Sequence, residues 1–255
     1  MDVANAVKDG KCLRYRHDWR ERHFGRNDFR SALVERAKSV AADLAQSPLP
    51  QAAPVIELGD SRARSFPAQF DVCVTSPPYL NSFDYTDVYR PELFLGEFIS
   101  DMKGLQQLRR STLRSHVQTS WKVPVEDDFG SHYADTMREL KKRTEGLWDG
   151  RLPLMVQAYF EDMLLVLLKL RAKAKRGGSV HLVVSTSAYA GVEIPVDLII
   201  ADIASKCGWF LREVVVARYL KRVSGQQWHE LNSRPDALGP HLRESIVVLD
   251  AQPRK

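Results

Sequence analysis

The stretch Asp71-Val72-Cys73-Val74-Thr75-Ser76-Pro77-Pro78-Tyr79 constrains this chain more than any other. It begins as a short apolar run of strand-forming residues and stops at two prolines. Proline has no backbone N–H, and it pushes the residue before it out of the α region. A strand therefore ends at Ser76, and a stiff turn carries Tyr79 at the carboxyl edge of a sheet, where open α/β sheets bind their ligands. The turn offers a particular set of groups: the Ser76 hydroxyl, the Pro77 carbonyl and the flat ring of Tyr79. Together they can hold a planar base by its exocyclic amine while the ring stacks on its face. A Pro-Pro pair after a strand is by itself an ordinary loop, so the rest of the chain has to decide.

Residues 1–50 read as a basic arm followed by a helix. Arg14, Arg16, Arg20, Arg22 and Arg26 alternate with Tyr15, Trp19 and Phe24, a composition that suits either phosphate and base contacts or docking on protein. Asn27 or Asp28 can cap a helix whose apolar positions Leu33, Val34, Val40, Ala41 and Leu44 recur at helical spacing. Residues 51–255 then alternate strand and helix. Residues 54–58, Pro-Val-Ile-Glu-Leu, read as a short strand ending in Gly59-Asp60. Residues 84–99 read as helical with a new start at Pro91. Residues 100–150 form a polar helical insertion, basic in its first half through Lys103, Arg109, Arg110, Arg114, His116 and Lys122. Residues 154–170 form an apolar helix, and Gly177-Gly178 is expected to end it before a buried strand over 179–184. A helix follows near residue 198, then two β-rich runs at 213–220 and 245–249, separated by the polar loop 222–227. This alternation defines an α/β sheet, and its last two strands are spaced to form an antiparallel hairpin.

Composition bounds the function. The 255 residues are 44% hydrophobic and 27% charged, the make-up of a globular protein with one sizeable core or one core plus an appendage. A net charge of +5 favours a polyanionic partner. Cys12, Cys73 and Cys207 lack CxxC spacing and read as reduced thiols. No HExxH or Cys/His cluster suggests a metal site, and neither GxGxxG nor GxxxxGK[ST] occurs. The N-terminal residues lack the apolar region of a secretory signal, and the longest apolar run is far short of the ~20 residues that span a bilayer. A cytoplasmic protein is expected.

At Thr75-Ser76-Pro77-Pro78-Tyr79 the chain resembles the amino-group DNA methyltransferases, whose catalytic motif is Asp, Asn or Ser followed by Pro-Pro and an aromatic residue. The likeness extends through Leu80-Asn81-Ser82-Phe83-Asp84-Tyr85-Thr86-Asp87-Val88-Tyr89 and covers roughly residues 54–250. The resemblance implies an enzyme dependent on S-adenosylmethionine that methylates an exocyclic amine of DNA, with the Ser form more typical of N4 of cytosine. It implies Ser76, Pro77, Pro78 and Tyr79 as catalytic residues and Asp60 as a contact for the adenine of the cofactor. It also puts the insertion, with Arg109, Arg110, Arg114 and Lys122, towards DNA. The alternatives are N6 of adenine, N2 of guanine in RNA, and a nucleic-acid-binding subunit or fragment without catalysis.

The chain departs from that family in one respect. The Gly-rich loop that lets backbone approach the methionine end of the cofactor has no counterpart in the sequence. The expected fold is therefore the later half of a Rossmann-like methyltransferase sheet. It ends in an antiparallel hairpin and lacks the half that binds the cofactor. A split enzyme, with a partner chain carrying the Gly-rich loop, is favoured over a decayed fragment because the catalytic turn and strand patterns are intact. An open sheet edge and uncovered apolar surface are the physical consequence.

Overall fold

The computed structural model describes residues 6–9, 12–49, 53–64, 66, 68–220 and 242–253. They fall into two compact units, one of residues 1–58 with 84–101 and one of residues 59–83 with 102–255.

In the first unit, β1 (Ala6–Asp9) pairs antiparallel with β2 (Cys12–Tyr15), a small hairpin that the Arg-rich composition did not announce. Helix α1 (Arg26–Gln46) starts before the expected caps: Gly25 is the N-cap, Asn27 and Asp28 lie in the first turn, and the Asp28 carboxylate reaches back to accept the Gly25 N–H at 2.7 Å. None of its residues is buried; Phe29, Leu33, Val34, Val40 and Leu44 stay 42–58% exposed. Two of the arm's cations lie on its own rings, Arg20 over Trp19 at 4.8 Å and Arg22 over Phe24 at 5.0 Å. Asp84 caps α2 (Tyr85–Val88) by accepting from the Thr86 N–H at 2.9 Å. The helical run breaks at Tyr89, and α3 (Arg90–Leu95) restarts with Pro91 in its first turn, where a missing N–H costs nothing.

One expectation fails here. Residues 54–58 carry no strand, and Val55, Ile56 and Leu58 are 79–90% exposed. Their β pattern is sound, but a strand exists only as part of a ladder, and no ladder involving them occurs among the described residues.

The second unit is a mixed α/β layer. Its strands are β3 (Phe70–Thr75), β4 (Ala174–Ser185), β7 (Phe210–Tyr219) and β8 (Arg243–Asp250), in the order β3-β4-β8-β7. The β3–β4 pair is parallel; β8 runs antiparallel to both neighbours, so the expected terminal hairpin is present. The loop expected at 222–227 lies outside the described residues. Helices α4 (Met102–Ser111) and α5 (Ser131–Lys141) make up the insertion. Helix α6 (Leu152–Arg171) and α7 (Val196–Lys206) supply most of the apolar mass. Met155, Tyr159, Met163, Ile199, Ile200 and Ile203 cluster with Val180, Leu182, Val184, Val247 and Leu249 of the sheet.

The pair Gly177-Gly178 does not end a helix. Strand β4 begins at Ala174 and passes through both glycines, with a register shift against β3 between Phe70 and Val72. A Cβ at Gly178 would stand 3.1 Å from the Phe70 carbonyl oxygen and 3.0 Å from that of Lys175. Glycine is needed for this close backbone approach in an irregular strand. A second, two-stranded sheet of β5 (Ser187–Tyr189) and β6 (Val192–Ile194) also went unforeseen.

Alternation within the main sheet separates two faces. Val180, Leu182, Val184, Val247 and Leu249 are at most marginally exposed, whereas Val72, Val74 and Val215 on the other face are 59%, 73% and 41% exposed. Strand β3 is also the outermost strand of the described sheet. Parallel strands are ordinarily covered on both faces. Here, among the described residues, the strand that leads into the Pro-Pro turn has one bare face and one open edge.

Candidate active site

The turn Ser76–Tyr79 leaves the carboxyl end of β3, as its prolines require. Ser76 is exposed, Pro77, Pro78 and Tyr79 are half-buried, and Leu80 is fully buried in the core. Leu80 anchors the turn in two ways. Its side chain packs into the main apolar cluster, and its carbonyl accepts hydrogen bonds from the Ser187 hydroxyl and, at 3.1 Å, from the Tyr189 phenol. Both donors lie on β5. The small hairpin that sequence reading missed is thus the clamp on the motif that it found. Beyond the clamp, Ser82 takes a left-handed backbone at φ 55°, sparsely populated by residues other than glycine, asparagine and aspartate. The Tyr79 phenol donates to Glu244 Oε1 on β8 at 3.1 Å, and Arg218 on β7 pairs with the other oxygen of Glu244.

Asp60 opens a second cluster. Arg62 grips its carboxylate through Nε and Nη2, at 3.0 and 2.7 Å, and its own N–H adds a bond of 2.9 Å. The Arg62 guanidinium beside Asp60 holds that carboxyl below its usual range. The same guanidinium donates to Asp162 Oδ2 at 2.8 Å and to the carbonyls of Ser111 and Thr112. Asp60 nevertheless keeps 41% of its side chain exposed.

The four basic residues of the insertion separate. Arg110 and Lys122 are exposed and Arg109 is half-buried. Arg114 is turned inward: its guanidinium binds Asp162 Oδ1 and Glu161 Oε2, each at 2.6 Å, and the Lys122 carbonyl at 3.0 Å. Its side chain is only 9% exposed. Of the four, Arg114 alone is turned to the interior. Nothing in the sequence distinguishes the three arginines, because their difference is set by Asp162, 48 residues from Arg114. Among the described residues no group of three or more His, Cys, Asp or Glu is placed to hold a metal ion, and no helix is long and apolar enough to cross a membrane.

The curated proteins that this chain is similar to are type II DNA methyltransferases. They are M.AvaI of Nostoc sp. and of Anabaena variabilis, each 29% identical over 190 residues, and M.BsoBI of Geobacillus stearothermophilus, 31% identical over 180 residues. The matches cover 69%, 69% and 62% of this chain and 36%, 36% and 35% of those proteins. The chain therefore spans about a third of the length of the curated relatives it matches. No protein-family model and no solved structure matches it.

Proposed function

We propose that this chain is the catalytic half of an S-adenosylmethionine-dependent DNA methyltransferase that acts on an exocyclic base amine, N4 of cytosine by preference. The observation that carries the reading is the clamped turn: an exposed Ser76 hydroxyl, a Pro77 carbonyl and the Tyr79 ring on a rigid support at the end of β3. Similarity to type II methyltransferases supports the reaction class, and the serine at the head of the motif favours cytosine over adenine.

A base inside a duplex is out of reach of such a turn, so the target has to leave the stack. Tyr79 then stacks on its face. The Ser76 hydroxyl and the Pro77 carbonyl accept the two amine hydrogens, which fixes the direction of the nitrogen lone pair. S-adenosylmethionine supplies an electrophilic methyl group when bound. Asp60 fits the adenine end of that cofactor, since its carboxylate is ionised, oriented by Arg62 and still partly open to solvent. No backbone here fits the methionine end, because the Gly-rich loop is not in this sequence. We assign that loop to a partner chain that docks on the bare edge and face of β3 and extends the sheet into a complete Rossmann-like one. Arg109, Arg110 and Lys122 are assigned to DNA phosphates, within a restriction–modification or phage-defence setting.

The test is methyl transfer from radiolabelled S-adenosylmethionine to DNA by this chain co-purified with a Gly-rich partner encoded beside it. Transfer is expected only with both chains, on cytosine in a base-resolved product analysis. Ser76→Ala is expected to slow turnover, and Tyr79→Ala to impair both turnover and base capture. Undiminished transfer in both variants sinks the assignment.

A further inference from the structure

Tyr79 is the group in the turn whose useful geometry the backbone fixes least, since Ser76 Oγ sits one torsion from the main chain and the Pro77 carbonyl none. Pro77 and Pro78 stiffen the chain before it, and the clamped carbonyl of Leu80 holds the chain after it. The ring still turns about two side-chain torsions, and a stacking surface is useful only at one inclination. The structure supplies a stop for that rotation. Tyr79 Oη donates to Glu244 Oε1 at 3.1 Å. Glu244 is itself held, because its other oxygen pairs with Arg218, which faces it across the β7–β8 ladder. With 14% of its side chain exposed, Glu244 is sheltered from water, while Arg218 keeps its carboxyl ionised by holding it below the usual glutamate range. The phenol therefore donates to a charged, pre-oriented acceptor, the stronger kind of hydrogen bond.

We propose that Glu244 is the positioning residue that sets the angle of the Tyr79 ring for the target base, with Arg218 holding Glu244 in place. This rests on the methyltransferase reading above and adds a residue on β8 that the catalytic motif does not contain. Glu244 touches neither base nor cofactor in this scheme and acts through the phenol. Its effect should vanish when the phenol hydroxyl is gone.

The experiment is a double-mutant cycle in the complete complex, with steady-state methyl transfer as the readout. Tyr79→Phe, which keeps the ring, and Glu244→Ala should each lower kcat/KM by about tenfold, the scale of a lost hydrogen bond to a charged group. The double variant should lose no more than either single one. Glu244→Gln keeps an oxygen that can accept the phenol proton and should retain most of the activity. Multiplicative losses in the double variant overturn the proposal. A second readout, independent of turnover, is the 13C resonance of the Tyr79 ring carbon bearing the hydroxyl, in tyrosine-labelled chain assigned with Tyr79→Phe. It should shift in Glu244→Ala, and an unmoved resonance also overturns the proposal. If the wild-type complex transfers no methyl group, the reading of the site falls and takes with it the base for which the ring is set. Transfer with independent losses removes only the role of Glu244.

Discussion

Arg62 Nη1 lies 2.8 Å from Asp162 Oδ2, so the loop that carries Asp60 is tied to helix α6 across a sequence separation of 100 residues. Asp162 also accepts from the Arg114 N–H at 2.9 Å and from Arg114 Nε and Nη2 at 3.1 and 2.6 Å. One carboxylate, 2% exposed, thus holds two guanidinium groups and a backbone donor. Removing one member of a buried charge network leaves its partners desolvated and unpaired, at about 3–5 kcal/mol. Asp162→Ala is expected to lower the free energy of unfolding by an amount on that scale, read from the denaturation midpoint and slope. Asp135→Ala, at an exposed pair on α5, should change stability by less than about 1 kcal/mol. Equal losses in a urea titration would contradict the central place given to Asp162.

The acid response follows from three carboxyls. The Arg62 guanidinium lowers Asp60, and Arg218 lowers Glu244. Burial pushes Glu161 up, but the N–H groups of Glu126 and Val125 and the Arg114 guanidinium outweigh it and bring it below its usual value. Each is more acidic folded than unfolded. The stability each contributes is therefore complete above the unfolded values, about 3.9 for Asp and about 4.3 for Glu, and is lost as pH falls through the lower folded values. Thermal unfolding followed by circular dichroism should show a flat Tm between about pH 8 and pH 5 and a steep fall below about pH 4. A Tm that rises on acidification would reverse the assigned sign.

The clamp on Leu80 predicts a pair effect. The Leu80 carbonyl accepts from both Ser187 and Tyr189, so either donor alone still satisfies it. Ser187→Ala or Tyr189→Phe should each cost about 0.5–1.5 kcal/mol, the net value of one hydrogen bond. The double variant leaves a buried acceptor unmet, and its cost should exceed the sum of the two. Denaturation midpoints of the three variants decide this; strict additivity would mean that water reaches the carbonyl.

Local chemistry made much of this molecule legible. The stop of β3 at Pro77-Pro78, the break before Pro91, the apolar helix α6 and the terminal β7–β8 hairpin each follow from backbone rules acting within a few residues. What escaped depends on partners distant in sequence. Gly177-Gly178 looked like a helix stop because the carbonyl of Phe70, which requires glycine there, lies over a hundred residues away. Ser187 and Tyr189 drew no expectation, because their acceptor, the Leu80 carbonyl, lies more than a hundred residues upstream. Arg114 resembled its surface neighbours until Asp162 drew it inward. Residues 54–58 show the converse: a strand-like pattern with no ladder among the described residues.

The bare edge of β3 yields the prediction that separates folding from assembly. Val72 and Val74 are 59% and 73% exposed on one face of the outermost strand. A lysine at either position has water on that side and should change the stability of this chain by no more than about 0.5 kcal/mol. An edge strand that carries an outward charge is a poor template for a further strand, and lysines are a natural means of blocking such edges. If a Gly-rich partner completes the sheet here, Val72→Lys and Val74→Lys should leave the unfolding midpoint unchanged and abolish co-purification with that partner, and methyl transfer with it. The same change on the other edge, Val215→Lys in β7, on the same exposed face, should leave assembly intact. Assembly that survives both β3 variants would place the partner elsewhere on the molecule. Loss of fold in either would mean that the two valines already belong to the core of this chain.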